Sequence, residues 1–197
     1  MPESTQKEKK TNTIYSRPIF KQTIKINSLQ AQRVMNRNFK RISRSLYSIS
    51  VILRIVGKQQ EIDNVEHVIN DYIMSVSNSL DAEMAQLKKL MNDNGIDSLP
   101  GYTNPSEYTI EINSPFIAQF IRLVCKLDKL MGIIDTLWLN TILNSKQHSD
   151  ATFEWQQKVI KMSNRIIEVE NKARNLTSSP ISAPRNCEGK SPESNAC

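Results

Sequence analysis

Glycine is scarce in this sequence, with 5 in 197 residues, and proline adds only 8. That scarcity argues against a loop-rich β-sandwich and against a nucleotide fold built on a glycine-lined phosphate loop. No stretch reaches 18 apolar residues without a charge, so no membrane-spanning helix is expected. Residues 1–13 are polar and lysine-bearing with no apolar core, which argues against a secretory signal and makes the cytoplasm the expected compartment. Histidine is nearly missing: His67 and His148 have no Cys or His at ligand spacing, and no metal site is expected. The 3 cysteines are too few for a disulfide framework. Cys125 lies in an apolar helical run, where a thiol packs as a small hydrophobe, while Cys187 and Cys197 lie in a Ser/Pro-rich stretch. Neither GxSxG nor HExxH occurs. Asp128 and Asp135 stand seven apart on one helix, and paired carboxylates can do acid–base work. Lys126 and Lys129 beside them read instead as neutralising neighbours. The expectation is a binding protein with no catalytic residues, no cofactor and no small-molecule substrate.

What the sequence does hold is charge, unevenly spread. Residues 1–58 carry 13 Lys/Arg against 2 Glu, a net of +11, which leaves the remainder with 13 against 18, a net of −5. A basic head on a mildly acidic body points to a polyanionic partner. A solvated helix face is the plainer explanation, and an amphipathic membrane-surface helix is another. The basic helix has few aromatic anchors beyond Phe39 and Tyr47, which speaks against the membrane.

Hydrophobic residues make up 39%, enough for a core, and their periodicity gives two short strands and four long helices. The first strand, 20–26, alternates Ile24 and Ile26 with Lys21, Thr23 and Lys25, and Phe20 joins the apolar face. Asn27-Ser28 then reads as the N-cap of a helix over 29–56. Its apolar stripe is Val34, Ile42, Leu46, Ile49, Leu53 and Val56, and Arg33, Arg37, Lys40, Arg41 and Arg44 collect along one flank. A second helix over 61–93 shows a heptad-like seam through Ile62, Val65, Ile69, Tyr72, Val76, Leu80, Met84, Leu87 and Met91. The second strand is 108–112, capped by Asn113-Ser114-Pro115 into a helix over 115–144 that is apolar nearly all round. The last helix is expected over 151–175 with Phe153, Trp155, Val159 and Met162 inward, and Trp138 and Trp155 are expected in the core. Residues 1–13 and 177–197 read as disordered ends.

Thr23-Ile24-Lys25-Ile26-Asn27-Ser28 and Thr109-Ile110-Glu111-Ile112-Asn113-Ser114 match at five of six positions, 86 residues apart. Each opens a strand, cap, helix, helix pattern. The match reads either as a duplicated strand–helix–helix unit or as convergence on a short strand followed by a cap, and the expected organisation is two such units, 14–95 and 96–176, in a mostly helical α+β bundle with two short β-strands.

A two-stranded ribbon fits the major groove of double-stranded DNA, where outward Lys21, Thr23 and Lys25 reach base edges. The capped helix start at Asn27 and Ser28 would offer N–H groups to a phosphate, with Arg17, Arg33, Arg37, Lys40 and Arg41 as further contacts. This is the ribbon–helix–helix way of reading DNA. An edge strand guarded by lysines against aggregation is the bland alternative. The second hexamer has lost the charge, with Glu111 for Lys25 and Glu107 for Lys21, and reads as a structural partner.

Tyr102-Thr103-Asn104-Pro105, Ile110 to Pro115, Lys126-Leu127-Asp128, Asp135-Thr136-Leu137-Trp138-Leu139 and Glu154-Trp155-Gln156-Gln157 together resemble the AcaB-like transcriptional regulators. That family is carried by conjugative plasmids and integrative conjugative elements. The resemblance is strongest over 102–174. It implies a DNA-binding activator of transfer genes, of ribbon–helix–helix type. The combined expectation is a homodimer reading a palindromic or repeated operator, its ribbon formed within one chain or between two. A helical adaptor or a relaxosome accessory protein is the alternative.

Overall fold

The structure, a computed structural model, describes residues 18–178, without the side chains of Val56, Thr177 and Ser178. The expected disordered ends, with Arg17, Cys187 and Cys197, lie outside the described residues, although the last helix runs on through residue 178. Strand β1 is Phe20–Ile26 and strand β2 is Ser106–Ile112. They pair antiparallel within one chain, with Lys21 opposite Glu111, Thr23 opposite Thr109 and Lys25 opposite Glu107. Ile24, Ile26 and Ile110 are buried beneath the ribbon. Phe20 departs from expectation: at the ribbon's end it overhangs the core and is 67% exposed.

Helix α1 (29–56) contains two π-helical turns, Met35–Phe39 and Ser48–Leu53, each taking in one more residue than an α turn and rotating the apolar stripe. Ser50 in the second turn bonds back to the Leu46 carbonyl at 2.9 Å and meets Ser114 Oγ at 2.7 Å. Helix α2 is Gln59–Asp93, α3 is Pro115–Leu139 and α4 is Ser145–Ser178. α3 forms the centre: Phe120, Val124, Leu127, Leu130, Ile134 and Leu137 are fully buried. Ser28 meets Asp128 and Ser50 meets Ser114, so α1 and α3 run antiparallel. α4 lies along α1, joined by Arg174 and Ser48, and α2 lies along α3, joined by Lys126 and Asp81.

Thr23 and Thr109 are equivalent positions of the two matching hexamers and also face each other in the ribbon. An approximate two-fold axis therefore passes between them, exchanging α1 with α3 and α2 with α4. The packing of α1 on α4 maps onto that of α3 on α2. The spans 14–95 and 96–176 share one apolar core, with Ile42, Leu46 and Ile69 from the first and Phe120, Val159 and Ile166 from the second.

Three helix expectations need correction. α3 stops at Leu139, not 144, because Thr141 turns into the left-handed region at φ 61° and the Leu137 carbonyl accepts from Ile142 and Leu143. α4 starts at Ser145, not 151, through a reciprocal box in which Gln147 N–H donates to Asn144 Oδ1 and Asn144 N–H to Gln147 Oε1, both at 2.9 Å. Phe153 is 63% exposed while Trp155 is buried, since residues two apart lie about 200° around a helix and cannot both face the core. In α2, Ile73 joins the buried seam that the heptad reading assigned to Tyr72.

Candidate nucleic-acid interface

The pleat turns Lys21, Thr23 and Lys25 outward, and all three are exposed, as expected. Glu107, Thr109 and Glu111 stand beside them on the same face. The ribbon's outward face thus carries two ammonium groups and two carboxylates. Thr23 and Thr109 share a hydrogen bond of 3.4 Å at its centre, and Lys21 lies 3.7 Å from Glu111.

The excess positive charge sits on α1. Arg33, Arg37, Lys40, Arg41 and Arg44 are all exposed, and none forms an ion pair with another described residue. Tyr108 of β2 donates to Asn36 Oδ1 at 3.1 Å, and Gln32 Nε2 donates to the carbonyls of Ile26, Asn27 and Asn104. These bonds hold the first turns of α1 against the β2 edge. Arg33 and Lys40 flank Asn36 in sequence on the same helix, and both are exposed.

Asn27 and Ser28, just ahead of α1, are engaged within the fold. Asp128, buried on α3, accepts from the backbone N–H of Asn27 at 3.0 Å and of Ser28 at 2.7 Å, and from Asn27 Nδ2 and Ser28 Oγ. Ser28 is fully buried. The Asn27 and Ser28 groups expected to face DNA phosphates are thus taken up by Asp128. Lys126 does not neutralise Asp128 either, because its ammonium goes to Asp81 and Ser77 of α2.

A crystal structure of selenomethionine-containing AcaB from uropathogenic E. coli superimposes on the chain with a TM-score of 0.79, at 65% identity over 82% of this chain and 83% of that one. The chain belongs to the AcaB family. No protein-family model and no curated protein matches it.

In this AcaB-family chain the loop that enters β2 is tied down by a second carboxylate of α3. Asp135 accepts from Tyr102 OH and pairs with His148 Nε2, each at 2.6 Å, and His148 stacks on Trp138 with ring centroids 4.7 Å apart. Trp138 is 39% exposed, against the expectation of a core position, because it closes over this corner rather than entering the bundle. Asp128 and Asp135 thus hold different partners, Asn27 and Ser28 for the first and Tyr102 and His148 for the second. Burial and the bond to Asp135 push the Tyr102 phenol well above its ordinary range. Such a group stabilises the fold while protonated, so the stabilisation is complete below about pH 10 and is lost as pH rises past the unfolded value. Urea unfolding at pH 8 and pH 10.5 is expected to show a larger alkaline loss for the wild type than for Tyr102→Phe. Equal losses would remove the phenol from the account.

One further cation borders the ribbon. Lys129 of α3 lines, together with Lys25, Asn27 and Tyr102, a cavity of about 410 Å³ at the ribbon's end. In sequence it reads as a neutralising neighbour of Asp128, the residue just before it. Its position facing the ribbon emerges only once Asn27 and Ser28 are seen to satisfy that carboxylate.

Proposed function

We propose that this AcaB-family protein is a sequence-specific double-stranded-DNA-binding regulator of transcription that lays its β-ribbon in the major groove. Its genes would be those of conjugative transfer, its compartment the bacterial cytoplasm, and activation its direction by family resemblance. The observation that carries the reading is the intrachain antiparallel ribbon with Lys21, Thr23 and Lys25 outward, followed by a helix whose five cations are exposed. Ribbons of this kind fit the major groove, lysine donates to guanine O6 and N7, and threonine bonds or touches a thymine methyl. A homodimer would bring two ribbons to two subsites, and the half-site spacing would report it. The proposal assigns no catalytic step.

The deciding experiment titrates the protein onto promoter and transfer-origin fragments of its own element, against salt and unlabelled random duplex. Retained binding under competitor, with log affinity falling linearly in log salt, is the expected result. Changing Arg33, Arg37, Lys40 and Arg41 to Gln should reduce the salt slope by about 3 to 4, close to one for each phosphate left without its cation. An unchanged slope would remove α1 from the interface.

One observation favours the adaptor reading: the ribbon face holds as many carboxylates as ammonium groups. An adaptor expects competitor to remove all binding. A relaxosome accessory protein expects the origin fragment to be preferred over the promoter.

A further inference from the structure

We propose that the ribbon reads a directional, non-palindromic subsite in which each cross-strand Lys–Glu pair recognises one G·C base pair, with both guanines on the same DNA strand. The inference rests on the ribbon reading of the preceding subsection and assigns Glu107 and Glu111 as specificity residues in place of the structural role expected for them.

The argument starts from register. Lys21 stands opposite Glu111 and Lys25 opposite Glu107, all four exposed on one face. The Lys21 ammonium lies 3.7 Å from Glu111 Oε1, with the two side chains 71% and 57% exposed. A pair so open to water is weakly held, and both heads are free to turn outward. Side by side they present a donor and an acceptor. In the major groove, guanine offers the acceptors N7 and O6, and its partner cytosine offers the N4 amino donor. Lysine on guanine and glutamate on cytosine therefore satisfy one base pair together. A thymine gives the lysine only O4, beside a methyl group.

Direction follows from the broken symmetry. Thr23 and Thr109 lie on the approximate two-fold axis, but both lysines are on β1 and both glutamates on β2. The two pairs face across the groove in the same sense, so the two guanines fall on one DNA strand. Lys21 and Lys25 are four residues apart, about 13 Å at the rise of an antiparallel strand. That is about four base-pair steps at 3.4 Å each. The expected core is two guanines about four steps apart in direct orientation. A ribbon with identical strands reads the inverted arrangement, guanine on one strand and then on the other.

The experiment is selection from a random duplex library with the full chain, its Glu107→Gln and Glu111→Gln variants, and the combined Lys21→Ala, Thr23→Ala, Lys25→Ala variant, each checked for an unchanged melting profile. The wild type should enrich the direct two-guanine core. Each Glu→Gln change should lose about ten-fold discrimination at one base pair. Glutamine accepts from cytosine N4 without a full charge and also pairs with adenine N6 and N7, while an adenine there would hand the lysine a thymine, so the cytosine preference should weaken rather than move to a new base. An inverted wild-type core, or Glu→Gln variants that keep the wild-type pattern, would overturn the inference while leaving the DNA-binding proposal standing. A wild type that enriches no motif, or a lysine variant that retains it, would instead bring down the ribbon reading and this inference with it.

Discussion

Replacing Lys21, Thr23 and Lys25 together by alanine is expected to erase the preference for operator over random duplex while leaving the protein folded. All three side chains are exposed, and their contacts are a 3.4 Å hydroxyl pair and a 3.7 Å surface ion pair. Surface changes of this kind alter stability by about 0.5 kcal/mol each. Operator affinity, by contrast, exceeds non-specific affinity by about 1,000-fold or more in specific DNA-binding proteins, and that ratio is what the triple change should remove. Residual binding should persist through α1, with the salt dependence of a phosphate-contacting surface. The check is the competition titration with wild type and variant side by side at one salt concentration. A folded variant that still prefers its operator would end the assignment of these three residues.

Asp128→Ala is expected to destabilise the fold far more than any of the surface substitutions. The carboxylate satisfies two backbone N–H groups and two side-chain donors of Asn27 and Ser28. Removing it leaves the fully buried Ser28 N–H and hydroxyl without their acceptor. Each buried donor left unmade costs about 1–3 kcal/mol, which makes a loss of about 3 kcal/mol the reasonable expectation. Against a typical total of about 5–15 kcal/mol this is a large fraction. Denaturant unfolding measures it directly, and a loss below about 1 kcal/mol would show that water replaces the carboxylate there. The same clamp fixes where β1 ends and α1 begins, so the variant should also bind DNA more weakly at temperatures where it remains folded.

Both carboxylates of α3 illustrate where reading the sequence stops. The strand at 20–26 is legible because alternation is local, and so are the cap at Ser114-Pro115 and the cation flank of α1. Asp128 is not, because its partners lie about a hundred residues earlier and its sequence neighbours suggest another answer. The same holds for the ribbon. That Glu107 and Glu111 reverse the charge of the first strand is plain in sequence, but that each faces a lysine is a fact of register between strands 86 residues apart. The start of α4 does carry a local signal, since Asn144 followed three residues later by Gln147 can form a capping box, and the expected start at 151 overlooks it. The contact of Ser50, in the second π turn of α1, with Ser114 joins residues 64 apart and is likewise out of local reach.

Closure of the ribbon inside a single polypeptide also changes how the protein responds to its own abundance. When a reading surface is built from two chains, its population follows a dissociation constant and fades with dilution. Here both strands and the helices that support them are tethered together. One newly synthesised molecule carries a whole ribbon, and the fraction of molecules bearing a formed ribbon does not depend on how many copies the cell contains.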